Sequence, residues 1–274
     1  MKITVVLDNC IAFGSKKSFR AEHGLSLLIQ HAGLRWLMDA GQTDAAFHNL
    51  GLLGMTPGQL EGFIVSHGHY DHTGGLAAML AQAGKTLPVY MAPGIFMRRY
   101  SRSGGVQRYI GVPHAREMLE SMGADFCLVD QPRQLTEKLW ISGPVLRQTS
   151  FETPDTGFVD ETGAEDIVTD DMSLFYVGEN GLTVITGCAH SGLINIIKYG
   201  LAVTGCKQLH GIIGGTHLGP ASPERQDATL DALASFDPNF VAANHCTGFA
   251  MMTRLQAMFG EKFVPAFIGT VLEC

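Results

Sequence analysis

The sequence predicts a layered α/β fold, and three observations carry that expectation. Short runs of β-branched and aliphatic residues recur along the chain and alternate with segments of helical spacing. Four of the strand-like runs end in a segment that carries histidine. The 33 glycines, against a charged fraction of only 16%, suit a large buried core with many tight turns.

Residues 2–8 form a β-branched run that Asp8-Asn9 terminates. Two further strands are expected at 25–29 and 34–38, separated by His31-Ala32-Gly33, and the second ends in Asp39-Ala40-Gly41. Residues 44–53 carry helical spacing. Thr56-Pro57 opens a short helix, with Thr as N-cap and Pro at the first helical position. A strand at 62–66 runs into Ser66-His67-Gly68-His69-Tyr70-Asp71-His72, followed by a helix over 73–83 and a strand over 87–91. The middle is less regular. Four arginines and two tyrosines (Arg98, Arg99, Tyr100, Arg102, Arg108, Tyr109) flank a Gly104-Gly105 flexure, ahead of a helix at 113–123. Strands are expected at 126–129, 139–141 and 145–148. Residues 152–171 hold eight acidic residues and no basic one, which makes either a solvated connector or a lid. A hairpin at 173–186 turns at Glu179-Asn180-Gly181. A helix at 193–199, a strand at 209–213, a helix from Ser222 to Phe236 and a strand at 240–243 complete the alternation. No polar linker interrupts it, so a single domain over residues 1–274 is expected.

Net charge is −7, so the molecule as a whole is not built to coat nucleic acid or an anionic membrane. No apolar stretch approaches the roughly 20 residues of a membrane span. Asp8 cuts off the N-terminal apolar run, which argues against a secretory signal. Six scattered cysteines without a C-x-x-C pair point to a reducing cytoplasm.

The chemistry concentrates at residues 66–72. His67, His69, Asp71 and His72 put three imidazoles and a carboxylate on one turn, and these are donors that zinc, iron and manganese accept. His190, His217 and His245 follow three later strands. Strand ends on one edge of such a fold can converge on a crevice. Seven candidate donors suffice for two metals, which need roughly six. Cys188, two residues before His190, is a further candidate ligand, since thiolate binds zinc well. His23, His31, His48, His114 and His210 each lack a neighbouring donor and are expected on the surface or hydrogen-bonded in the core. Cys246 is expected to pack as a small apolar residue.

Five strings together carry a family resemblance: Glu22-His23-Gly24-Leu25-Ser26, the H-x-H-x-D-H of residues 67–72, G-C-A-H-S-G at 187–192, G-G-T-H-L at 214–218 and H-C-T-G at 245–248. The chain resembles the metallo-β-lactamase fold superfamily, and within it the branch of dihydropterin-methyl-ribofuranosylaminobenzene 5′-phosphate synthases. The resemblance implies an αββα sandwich, two packed mixed sheets with helices on the outer faces, and a dinuclear site. It implies that His67 and His69 hold one metal with a downstream histidine, His190. Asp71 and His72 then hold the second, closed by His245. The superfamily places a bridging aspartate where this chain has Cys188. His217 either substitutes as a ligand or faces the substrate, and Asp39, in a D-x-G after a strand, orients a histidine.

The resulting expectation is a metal-dependent hydrolase-like enzyme. A metal-bound hydroxide would act on a small anionic substrate, phosphorylated or pterin-like. Zinc, one or two ions, is the expected cofactor, with iron or manganese as alternatives. Asp71 and His217 are the candidate catalytic residues. Arg98, Arg99, Arg102 and Arg108 are candidates for the substrate anion, or else line a solvated helix face. A nuclease of the same fold, a di-iron oxidoreductase and a non-catalytic metal-binding or ligand-sensing module are the rivals. No nucleic-acid or membrane partner is expected, and a homodimer is left open.

Overall fold

A computed structural model describes residues 1–103 and 105–274. Its residues group into two compact units, each drawn from three separate stretches of sequence. The first comprises Met1–Leu128, Thr156–Asp170 and Phe267–Glu273; the second comprises Val129–Asp155, Asp171–Ala266 and Cys274. Among the described residues no helix is long and apolar enough to cross a membrane.

The first unit is built on a seven-stranded mixed sheet. Its strand order is Val271–Glu273, Lys2–Leu7, Ser26–His31, Leu34–Met38, Gly62–Ile64, Leu87–Met91 and Ala124–Leu128. The edge strand comes from the far end of the chain, pairing Lys2 with Glu273. Side chains alternate across a strand. Leu28 and Leu37, paired in register, therefore share one face with Phe63, Val65 and Val89 and pack in one cluster with Leu50, Leu76 and Met79 from the helices. Their neighbours Leu27, Ile29 and Met38 are also fully buried, so both faces of the sheet are dry. The helix expected over 73–83 is two pieces, Tyr70–Thr73 and Leu76–Ala81, with the bend at Gly74-Gly75.

The basic and aromatic segment around residue 100 is a hairpin rather than a helix face. Arg99–Ser103 pairs with Val106–Tyr109, and Phe158–Asp160 adds a third strand. Gly104, half of the expected flexure, lies outside the described residues.

The second unit has its own seven-stranded mixed sheet, in the order Phe263–Pro265, Phe240–Asn244, Leu209–Gly215, Gly181–Thr186, Ser173–Gly178, Leu139–Ile141 and Arg133–Gln134. The expected hairpin is present, closing Glu179-Asn180 between the paired Gly178 and Gly181. The strand expected at 145–148 is not. Gln148 N–H goes to the Asn195 side chain at 2.8 Å, so that segment has no continuous ladder to join.

The acidic segment 152–171 is neither a solvated connector nor a plain surface loop. Glu152, Asp166, Asp170 and Asp171 are all buried. Glu152 accepts the N–H groups of Ile194 and Asn195, each at 2.8 Å, at the start of the helix Leu193–Thr204. Those donors have no partner inside the helix, and the carboxylate supplies one. Burial pushes the Glu152 carboxyl pKa up against the pull of these bonds. Glu152→Ala leaves two buried N–H groups unpaired and is expected to lower stability by about 2–4 kcal/mol, read from urea unfolding.

Candidate metal centre

In the first unit the turn after Gly62–Ile64 holds its donors in a buried cage. His67 and His72 are fully buried, and His69 and Asp71 are each 6% exposed. Gly68 is required where it stands, because a Cβ there would meet the Ile95 carbonyl oxygen at 2.3 Å. Its N–H donates to Asp170 Oδ2 at 2.9 Å. His69 N-caps the short helix Tyr70–Thr73, whose first N–H, from Tyr70, donates to Ile110 O.

The hydrogen bonds fix which nitrogen of each ring carries a proton. Ser66 Oγ donates its one hydrogen to Asp39 Oδ2 at 2.7 Å, since a carboxylate only accepts. His67 Nδ1, 2.9 Å from the same hydroxyl, must therefore be the donor to it. His72 Nδ1 donates to Asp39 Oδ2 at 2.7 Å by the same argument. In the neutral imidazole form both rings consequently present Nε2 as a lone pair. His67 Nε2 lies 2.9 Å from His69 Nδ1, and His72 Nε2 lies 3.6 Å from Asp71 Oδ2. Asp39 also takes Ser66 N–H at 2.8 Å and sits at φ 59°, a strained value for a residue with a side chain.

The second unit gathers Cys188, His190, His217, His245 and Cys246 at the ends of its own strands. One ligand atom each from Cys188, His190 and His217 lie within 4.8 Å of one another, and so do those of Cys188, His245 and Cys246. Ala189, His217 and His245 all have positive φ, so three of the bends that present these donors are strained. Asp155 Oδ2 is 3.2 Å from both His190 Nδ1 and His217 Nε2. Arg225 fixes Asp155 in turn, donating to its Oδ1 at 2.9 Å and to Thr153 O at 3.0 Å. Arg147 donates to the His190 carbonyl at 2.8 Å. Burial pulls the His217 pKa down, but Cys246 and Asp155 beside it reverse the direction and leave it raised.

The chain has relatives among known proteins. The profile of the Metallo-beta-lactamase superfamily matches residues 20–243. The chain belongs to the metallo-beta-lactamase superfamily. A 7,8-dihydropterin-6-methyl-4-(beta-D-ribofuranosyl)-aminobenzene-5′-phosphate synthase of Methanocaldococcus jannaschii is 29% identical, over 95% of this chain and 92% of that protein. An uncharacterized protein of the same archaeon is 31% identical, over 98% of this chain and 99% of its own. Among solved structures, a metal-dependent hydrolase of the beta-lactamase superfamily superposes with a TM-score of 0.83 at 26% identity, over 100% of this chain and 99% of that one. The expected family, and the α/β class of mixed sheets with helices, are borne out.

As a superfamily member the chain departs from its sequence-based expectations in particular places. Arg99 is not placed to meet a substrate anion. It is fully buried, with Nη2 2.6 Å from Asp170 and Nε 3.1 Å from Asp166. Burial opposes its charge, yet the two carboxylates win and hold its pKa up. Arg98, Arg102 and Arg108 remain exposed. His23, expected on the surface or hydrogen-bonded in the core, is exposed, with its Nε2 3.2 Å from Asp71 Oδ2. Cys246, expected as apolar packing, accepts His217 N–H through its sulfur at 3.3 Å. Asp155, Arg147 and Arg225 had no local signal; only the general run of acidic residues marked Asp155.

Proposed function

We propose that the chain is a metal-dependent enzyme, hydrolase-like in its chemistry, that acts on a small anionic substrate of the phosphorylated or pterin-like class. The observation that carries the reading is the fixed tautomer of His67 and His72. Two buried imidazoles are locked from behind by Ser66 and Asp39, so that each aims a lone pair forward. That is the arrangement in which histidine ligands are oriented for a metal. The donor set fits zinc, with iron or manganese as alternatives. His67, His69, Asp71 and His72 would hold metal in the first unit, His190 and His245 in the second.

A metal bound there would supply Lewis acidity and a means of activating water at neutral pH. The remaining work falls to the chain's own side chains. Asp71, its Oδ2 beside His23 Nε2, can accept a proton and share it with that exposed ring. His217, braced by Asp155, can hold a proton at the substrate.

The substrate class is supported in the first unit by a cavity of about 650 Å³, lined among others by Phe96, Arg98, Tyr109, His114 and Arg116. Aromatic walls with guanidinium groups suit an anionic ring compound. The cavity wall is tied to the segment that follows the ligand turn, with His114 Nε2 3.2 Å from Gly74 O. The compound named by the archaeal relative joins a dihydropterin, an aminobenzene and a ribofuranosyl phosphate, and so belongs to the same class. That name also favours a second reading, a synthase rather than a hydrolase. Product analysis with a dihydropterin and an aromatic ribosyl phosphate, supplied singly and together, separates the two.

Elemental analysis of protein purified without chelator tests the metal centre. His67→Ala/His69→Ala is expected to lose at least one metal per chain while keeping its circular dichroism. Unchanged stoichiometry would remove the basis for the reading.

A further inference from the structure

Cys188 is shared by both donor groups of the second unit, the one with His190 and His217 and the one with His245 and Cys246. It is buried, and the strained Ala189 follows it. Cys246 is placed differently. Its sulfur accepts the His217 N–H at 3.3 Å and lies 3.6 Å from the Cys188 carbonyl oxygen. The backbone at Gly215 presses on it so closely that a Cβ there would stand 2.6 Å away. Cys246 is thus occupied in holding together the backbones of residues 188, 215 and 217. Cys188 is the sulfur common to all three imidazoles.

The carboxylate of this cluster has another task. Asp155 directs one oxygen at His190 Nδ1 and His217 Nε2, and Arg225 takes the other. It therefore acts as a positioning residue that sets two rings. A donor set of imidazoles with a thiolate, and with its carboxylate engaged in bracing, is borderline-soft. It favours zinc over the oxygen-preferring manganese and magnesium.

We propose that Cys188 ligates, as a thiolate, the metal held by the second unit, which makes this a sulfur–nitrogen site selective for a zinc-class ion. The inference rests on the metal-centre reading above. The S–H bond breaks and a sulfur–metal bond forms; one proton leaves to solvent for each thiol ligated, and no electron is transferred.

Cobalt(II) loading of the full chain tests it, because a cobalt–thiolate bond produces a sulfur-to-metal charge-transfer absorption in the near ultraviolet. The wild-type protein is expected to show that absorption, Cys246→Ser to keep it, and Cys188→Ser to lose it. Zinc binding in Cys188→Ser, measured by chelator competition, is expected to weaken at least tenfold, with a smaller loss for manganese. Should Cys188→Ser fail to fold, alkylation of the wild-type protein with iodoacetamide decides, since zinc is expected to protect Cys188. Cobalt bound without the absorption, an absorption that survives in Cys188→Ser, or equal alkylation of Cys188 with and without zinc each overturns the proposal and leaves the metal centre standing. A chain that takes up neither cobalt nor zinc overturns both.

Discussion

Asp39→Asn is expected to leave the fold intact and to weaken metal binding by about 100-fold. Asparagine tolerates the φ of 59° at this position, so the backbone has no reason to move. Its amide oxygen can replace Oδ1 and keep the 2.8 Å bond from Ser66 N–H. The amide nitrogen then stands where Oδ2 accepted from both Ser66 Oγ and His72 Nδ1. A donor now faces two donors. His72 must move its proton to Nε2, and Ser66 must turn its hydroxyl toward His67, whose proton also moves to Nε2. The reversed amide fares no better, because it sets N–H against Ser66 N–H. One substitution thus protonates the ligating nitrogen of two histidines. Loss of a single such orienting partner costs about 10–100-fold in affinity, and here two rings share one partner. Chelator competition reads the affinity and circular dichroism reads the fold. Wild-type affinity in Asp39→Asn would show that these tautomers do not matter.

Arg99→Met is expected to cost about 3–5 kcal/mol, because it leaves Asp166 and Asp170 buried without their countercharge. The loss depends on pH, and its sign follows from the carboxyls. Burial already raises the Asp170 pKa against the pull of Arg99, and removing the guanidinium raises it further. A carboxyl whose folded pKa lies above its unfolded value of about 3.9 binds more protons in the folded state. Stability of the variant therefore falls as pH rises from about 4 toward the folded value. Urea unfolding at acid and neutral pH should find the variant nearest to wild type at the acid end. A deficit independent of pH would mean that the lost packing of the arginine stem, rather than charge, sets the cost.

How much of this was legible in the sequence depends on distance along the chain. The ligand turn was visible because its donors are neighbours, and Asp39 was visible from its D-x-G after a strand. The bond from Gly68 to Asp170 spans 102 positions, and no spacing rule marks it. Asp155 and Arg225 are equally remote from the histidines they brace. The acidic segment misled because composition counts charges without saying which are buried; four of them found donors in elements far away in sequence. Arg99 misled because it stands among exposed arginines. Strand alternation sends residues 99 and 100 to opposite faces, and that became apparent only once the segment was known to be a hairpin. The fold was more legible, since periodicity and turn residues are local.

The pairing of Lys2 with Glu273 in the first sheet has a consequence for synthesis. Lys2–Leu7 is made long before the Val271–Glu273 segment that covers its edge. Until then Lys2–Leu7 presents an unpaired, apolar β edge, the kind of surface on which nascent chains aggregate. A sheet closed by its most distant segments also has a high contact order and folds slowly. The interval between translation of these two strands should thus weigh on production, so slower initiation, cooler growth or a holding chaperone should raise the yield of folded chain without any change in its sequence.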